Sequence, residues 1–271
     1  MGETLRRIGL FMLLAFLLCI SLTAEALGVN YGRMADNLPP PSEVAKFLQT
    51  TIIDKVKLFD ADPSVLQAFA NTNIVVVVAV ANDEIPYLNK LPAAQDWVKK
   101  NVAPYVPDTN IIAISVGNEI LSTGNKVLIS QLIPAMQNLH TALVGASLDK
   151  QIKVSTPHSL GILAASEPPS IGRFRRGYDR VILKPLLNFL RTTGAPFMIN
   201  PYPYFGYTDK NLNYALFKPN PGVFDKNTGI TYANMFQAEL DVVYSAMKLL
   251  GFSDVNIVVA ETGWPSVGDS N

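Results

Sequence analysis

A parallel (β/α) barrel is the fold class this sequence predicts, and three observations carry that expectation. Seven short runs rich in Val and Ile alternate with stretches of helical periodicity from Gly28 onward, the mark of repeated βα units. The runs are continuous rather than alternating, as in parallel strands buried on both faces. Each breaks off into polar or aromatic residues, and a barrel builds its site at the C-terminal ends of its strands. The competing arrangement, a doubly wound open sheet, calls for a Gly-rich phosphate loop after the first strand. Gly28-Val29-Asn30-Tyr31-Gly32 is not one.

The first strand is that Gly28–Tyr31 segment, closed by a glycine turn. Pro39-Pro40-Pro41 follows, and Ser42 is the expected N-cap of a helix through Val44, Phe47 and Leu48. Val56 to Phe59 is the second strand. Asp62 should cap the next helix, with Pro63 at its first position and Val65, Leu66 and Phe69 along it. Ile74 to Val80 is too β-branched for helix and makes the third strand. A helix is expected around Trp97 to Val102.

Ile111 to Val116 is the fourth strand, ending in Gly117-Asn118-Glu119. Its helix spans about Leu128 to Val144, with Leu128, Leu132, Met136, Leu139 and Leu143 on one face and a kink expected at Pro134. Ile152 to Ser155 is the fifth strand. The irregular stretch holding Pro168-Pro169 and Arg173, Arg175 and Arg176 reads as a solvated loop. Helix resumes near Leu183 to Leu190, and Phe197-Met198-Ile199 is the sixth strand, running into the aromatic loop Asn200 to Tyr207. Asn211 to Gly229, rich in Asn, Pro and Gly, reads as an inserted loop or hairpin. Phe236, Leu240, Val243, Met247 and Leu250 mark the clearest helix, stopped by Gly251. Val255 to Ala260 is the seventh strand. Either the barrel has seven strands or the sequence stops before an eighth; the second is favoured, because Asp269-Ser270-Asn271 falls in a loop.

Composition narrows the chemistry. The 22 basic residues balance the 22 acidic ones, so nothing electrostatic favours a nucleic-acid partner. Two histidines and the single Cys19 are too few for a His/Cys zinc site or a Cys-His nucleophile. No metal and no cofactor are expected. Arg6 and Arg7 precede an apolar run from Ile8 to Leu22, and Ala24-Glu25-Ala26 fits a cleavage site. Residues 1–26 therefore read as a secretory signal peptide and 27–271 as one catalytic barrel. The apolar run is short of the about 20 residues a membrane-spanning helix needs. Cys19 would leave with the leader, so an exported product would be held by its core alone.

Two of the strands end in Glu: Glu119 after the fourth, Glu261 after the seventh. A charge where a buried strand meets its loop is costly unless it is used. In a closed barrel both point into one mouth. Paired carboxylates are what glycosidic cleavage requires, one to protonate the leaving oxygen and the other to attack the anomeric carbon or activate water. The covalent, retaining route corresponds to a separation of about 5–5.5 Å. The work also requires one carboxyl protonated while the other is ionised. Tyr31, Tyr202, Tyr204, Phe205 and Trp264 offer flat faces for sugar rings, and Asn118 is placed to bond a sugar 2-hydroxyl. His158 reads as structural.

These stretches resemble a known family. Gly28-Val29-Asn30-Tyr31-Gly32, Val116-Gly117-Asn118-Glu119 and Ala260-Glu261-Thr262-Gly263-Trp264-Pro265-Ser266 are similar to the motifs of glycoside hydrolase family 17, the plant glucan endo-1,3-beta-glucosidases. Lys153 to Ser159 and Asn200 to Phe205 are similar as well. The resemblance implies a (β/α)8 TIM barrel, with Glu119 as acid/base and Glu261 as nucleophile, acting with retention on linear β-1,3-glucan such as callose. It implies a secreted, cell-wall hydrolase, acting as a monomer, with membrane contact only through a lipid anchor beyond Asn271. Family members continue through another helix, an eighth strand and a closing helix, which do not follow Asn271 here. Two other readings stand beside hydrolysis: an inactive, binding-only glucan-recognition fragment, and a β-1,3-glucan transglycosylase. Release of reducing ends separates the first from an enzyme, and product mass separates the second from a hydrolase.

Overall fold

A computed structural model describes residues 27–267; the leader and the Asp269-Ser270-Asn271 loop lie outside the described residues. Strands β1 (Gly28–Tyr31), β2 (Lys55–Leu58), β3 (Val75–Val80), β4 (Asn110–Val116) and β5 (Lys153–Ser155) pair in that order, every pair parallel. Only Thr156 separates β5 from β6 (Pro157–Ser159), which carries the wall on through β9 (Phe197–Asn200) to β12 (Ile257–Val259), again parallel. All seven expected strands are present, in the order of a (β/α) barrel. Among the described residues no strand pairs β12 to β1.

Helices α1 (Pro41–Leu48), α2 (Pro63–Ala68), α3 (Leu91–Asn101), α4 (Lys126–Gly145), α5 (Lys184–Thr193) and, later in the chain, a longer one before β12 lie between successive strands. The strands present their branched residues to them. Val76, Val78 and Val80 of β3 and Val56 and Leu58 of β2 are at most 1% exposed within the main core. The opposite face carries smaller and polar residues: Lys57, Ala79, Ala113, Ser115, Met198 and Asn200, all buried. A β-bulge at Ile112 lets Ile111 and Ile114 both join the helix-side core while Ala113 and Ser115 turn inward, resetting the alternation ahead of the loop that matters. β12 departs from the expected double burial, with Val258 40% exposed; as the last strand it has β9 on one side and no described strand on the other.

Local chemistry explains the helix ends. Asp62 caps α2 by accepting from the Ser64 and Val65 N–H groups, with Pro63 at the first position. Ser42 does not cap α1; Pro40 stands at the cap, without a side-chain bond, and Ser42 is the second helical residue. The proline supplies the fixed φ that starts the turn, so no hydroxyl is needed. Asn125 caps α4, its side chain accepting from the Val127 and Leu128 N–H groups, and Pro134 lies within the helix.

The stretch read as a solvated loop contains strands β7 (Leu163–Ala165) and β8 (Arg173–Phe174), paired antiparallel. The arginines are exposed as expected, but Phe174 between them is buried against Phe197. The aromatic loop holds a short helix, α6 (Pro203–Gly206); the insertion from Asn211 to Gly229 holds another, α7 (Leu212–Ala215), and the first strand of a hairpin, β10 (Val223–Asp225), whose second strand β11 (Ile230–Tyr232) begins just past it. It packs its own small apolar cluster around Tyr214, Ala215, Tyr232 and Met235. α8 (Met235–Leu249) follows, and Gly251 at φ +86 turns the chain off its end.

Asp62→Ala is expected to lower stability by about 1 kcal/mol, the usual worth of an N-cap, seen as a lower thermal midpoint. The Ser64 hydroxyl and N–H, with Arg33 beside them, hold the Asp62 carboxyl down at about 2 against the opposing effect of burial. A depressed carboxyl stabilises the fold above its unfolded value, and that contribution fades as pH falls through the ordinary 3.8 toward 2. The wild-type advantage over the variant should shrink across that window.

Candidate active site

β4 runs out into a turn that only certain residues can make. Gly117 sits at φ +66, and a Cβ there would lie 2.7 Å from the Ile120 side chain and 2.8 Å from Ile85, closer than any packing allows. Asn118 is clamped through its backbone: its N–H donates to Asn82 Oδ1 at 2.7 Å and its carbonyl accepts from Asn82 Nδ2 at 3.3 Å. Glu119 then takes the left-handed conformation, φ 51 and ψ 38, a strained setting for a side chain of this kind. Its N–H donates to the Pro157 carbonyl at 3.1 Å. The strain and the clamps fix one direction for the carboxylate, and Asn200 Nδ2 at the end of β9 donates to Glu119 Oε1 at 2.8 Å.

Glu261 stands two residues past β12, where the Ala260 N–H donates to the Ile199 carbonyl at 2.9 Å and ties the chain to β9. Lys57 Nζ, from the inner face of β2, donates to Glu261 Oε1 at 2.8 Å. The Tyr202 hydroxyl donates to Oε2 at 3.1 Å. The two side chains of the ion pair are only 9% and 12% exposed. Burial pulls the Lys57 ammonium below its ordinary value, while Glu261 first and Glu119 more weakly pull the other way. Burial pushes the Tyr202 phenol up to about 12, helped by the charges of Glu261 and Glu119. One lysine and one tyrosine thus feel both carboxylates, and the Asn200-Pro201-Tyr202 segment holds a bond to each. The two acidic residues share one mouth.

Around them the expected aromatic residues gather. Trp264 meets Tyr204 at 5.3 Å and Tyr207 at 5.2 Å between ring centroids, Phe205 meets Tyr204 at 5.3 Å, and Tyr202 meets Phe205 at 5.5 Å. Phe205 is 79% exposed and Trp264 37%, so the cluster keeps apolar faces open to a ligand. Tyr31 is not among them. It registers with Leu58 and packs half-buried against the main core, while its neighbour Asn30 shares the face of Lys57. Asn118 lies beside Glu119 with its Oδ1 buried and unpartnered. His158 is fully enclosed and stacks on Phe197 at 5.0 Å; burial drives its imidazole down to about 3, so it stays neutral within the core.

Four contributors escaped the sequence: Lys57, Asn200, Asn82 and Phe59. The ring of Phe59 lies under the Lys57 ammonium at 4.0 Å and is 39% exposed. A signal existed for Lys57, a lone cation at the inward position between Val56 and Leu58. Asn82 and Asn200 gave none, since their partners are set by distant segments. Among the described residues no group of three or more His, Cys, Asp or Glu is arranged to hold a metal ion.

The sequence profile described as glycosyl hydrolases family 17 matches residues 27–271. Glucan endo-1,3-beta-glucosidase 7 of Arabidopsis thaliana is 51% identical over 250 residues, covering 90% of this chain and 49% of that protein. Glucan endo-1,3-beta-D-glucosidase of Olea europaea is 50% identical, covering 90% and 54%. The chain spans about half the length of the curated relatives it matches. Among solved structures, CJP38, a beta-1,3-glucanase and allergen of Cryptomeria japonica pollen, superposes with a TM-score of 0.87 at 42% identity, covering 90% of this chain and 77% of that one.

Proposed function

The chain belongs to glycosyl hydrolase family 17, and on that premise we propose that it is an exported, retaining endo-hydrolase of (1→3)-β-D-glucan. The observation that carries the reading is the pair Glu119 and Glu261 at one barrel mouth, each tied to the Asn200-Pro201-Tyr202 segment. The substrate class follows the relatives named glucan endo-1,3-beta-glucosidases. The site of the reaction, the aromatic cluster beside it, and the leader ahead of Leu27 each support one part of it.

In the first half-reaction Glu119 gives its proton to the glycosidic oxygen while a Glu261 oxygen attacks the anomeric carbon. The bond to the leaving sugar breaks, and a glycosyl ester forms on Glu261. In the second, Glu119 takes a proton from water as the water oxygen attacks the same carbon, and the ester bond breaks. Two inversions return the original configuration. Lys57 and Tyr202 fix both Glu261 oxygens before substrate arrives, so little reorganisation is needed at the moment of attack. Because its phenol is held at about 12, Tyr202 remains a donor throughout the working pH range.

The purified protein should release reducing ends from laminarin, giving oligosaccharides whose new anomeric centres are first formed in the β configuration by NMR. Recovered from the medium of secreting cells, it should begin near Leu27. Binding of β-1,3-glucan with no release of reducing ends would sink the enzymatic reading in favour of a binding protein. Products longer than the starting oligosaccharide would replace hydrolysis with transfer.

A further inference from the structure

The catalytic mouth does not end at Glu119. A cavity of about 400 Å³ opens on Glu119, Ser159, Asn200, Tyr202, Gly206 and Glu239, and Glu261 does not line it. A second, of about 480 Å³, runs beneath the insertion between β7 and α8, past Glu167, Asn211, Tyr214 and Met235. Leu160, Gly206 and Glu239 line both, so the two meet at the Glu239 carboxyl. Glu239 Oε2 is buried and has no hydrogen-bond partner, a state that costs stability unless a ligand completes it.

We propose that the second cavity is a sugar-binding site on the leaving-group side of the catalytic pocket, where Glu239 holds a hydroxyl of a glucosyl unit of the bound glucan. The inference rests on the function proposed above and names a binding residue that the catalytic pair does not include. The side follows from chemistry: the acid protonates the departing oxygen, so the departing sugar lies toward Glu119 and away from Glu261. The ligand class follows from the lining. Glu239, Glu167, Asn211 and the Tyr214 hydroxyl supply donors and acceptors, while Leu160, Met235 and Val242 supply apolar faces, and no Lys or Arg lines the cavity. That mixture suits a neutral, hydroxyl-rich ring and repels an anion. The volume falls in the range of small-molecule sites, about 300–1,000 Å³.

The ionisation of the lining agrees. Burial pushes the Glu239 carboxyl up to about 7, so in mildly acidic solution it both donates and accepts, as a sugar hydroxyl requires. The ionisable groups that line the cavities with it are Glu167 and Tyr214 on the insertion side and Glu119 and Tyr202 on the catalytic side. Burial, with the charges of Glu167 and Glu239, pushes the Tyr214 phenol up to about 12, and it stays a donor.

The test compares wild type with Glu239→Leu, Glu239→Gln and Gly206→Ala on short and long laminari-oligosaccharides, with thermal midpoints measured alongside. Glu239→Leu is expected to raise KM for the long substrates about tenfold, the size of one hydrogen bond to a sugar, with the loss carried by KM rather than kcat. Glu239→Gln still donates and accepts, and should recover most of that loss at mildly acidic pH. A Cβ on Gly206 would stand 3.1 Å from Met235 Sδ and 3.7 Å from Glu239 Oε1, narrowing the passage and raising KM for long substrates more than short ones. Wild-type length dependence in both Glu239→Leu and Gly206→Ala overturns the site while leaving the enzyme reading intact. A wild type that cleaves nothing overturns the enzyme reading instead, and calorimetric titration with laminari-oligosaccharide then decides the site: equal affinity in wild type and Glu239→Leu ends it.

Discussion

Glu261→Gln is expected to reduce kcat on laminarin by at least about 10⁴-fold, with the fold retained. The amide keeps the shape of the carboxylate and can still take a hydrogen bond from Lys57 through its oxygen, but it cannot form the glycosyl ester. Glu119→Gln should be comparably inactive on laminarin and differ in one diagnostic respect. An aryl glycoside with a good leaving group needs no proton to depart, so the first half-reaction should survive and the ester should accumulate. Added azide, which needs no general base, should then capture the anomeric carbon and yield a β-glycosyl azide. Azide should rescue nothing in Glu261→Gln, since no ester forms there. Near-normal laminarin turnover in both variants would remove the carboxylate pair from the mechanism altogether. An α-configured azide from Glu119→Gln would instead point to direct displacement with no covalent intermediate.

The barrel was legible because its strands announce themselves on one face only. Val76, Val78 and Val80 pack outward against helices as a β-branched series, and no helix would use such residues so densely. The same regularity recurs at Val56 and Leu58 and at Ile111 and Ile114, so strand count and order could be read directly. The inner face is where reading failed. There the residues are small or polar, and their meaning depends on what the opposite wall presents. Lys57 stands out as a lone cation between Val56 and Leu58, but nothing local names its partner, Glu261, which is 204 residues later and 2.8 Å away. Asn200 reads as the start of a loop, though it is the last residue of β9 and the partner of Glu119. Tyr31 registers with Leu58 and packs half-buried against the core, apart from the aromatic cluster of Tyr202, Tyr204, Phe205 and Trp264. Glu239 is hidden by the periodicity that made α8 clear, a carboxyl on a helix whose apolar stripe draws the eye. The two glutamates stand out in the sequence because each follows the end of a buried strand, whereas the side chains that bond them come from segments that no local pattern links to them.

Lys57→Met should show how much of the site depends on that shell. The ammonium and the carboxylate are both almost withdrawn from water, so removing one leaves the other desolvated and unpaired. Breaking such a pair typically costs about 3–5 kcal/mol, and the thermal midpoint should fall accordingly. Activity should fall as well, by about 10²-fold in kcat, the usual effect of losing one preorganised electrostatic partner. The split between stability and rate carries the sharper statement. Lys57→Arg keeps the positive charge in a bulkier head, so it should retain more of the rate than Lys57→Met while packing costs it stability. A Lys57→Met variant that loses stability with kcat unchanged would reduce Lys57 to a structural cation. A fall in kcat in Lys57→Met that Lys57→Arg largely restores would make the charge beside Glu261 Oε1 part of the reacting site.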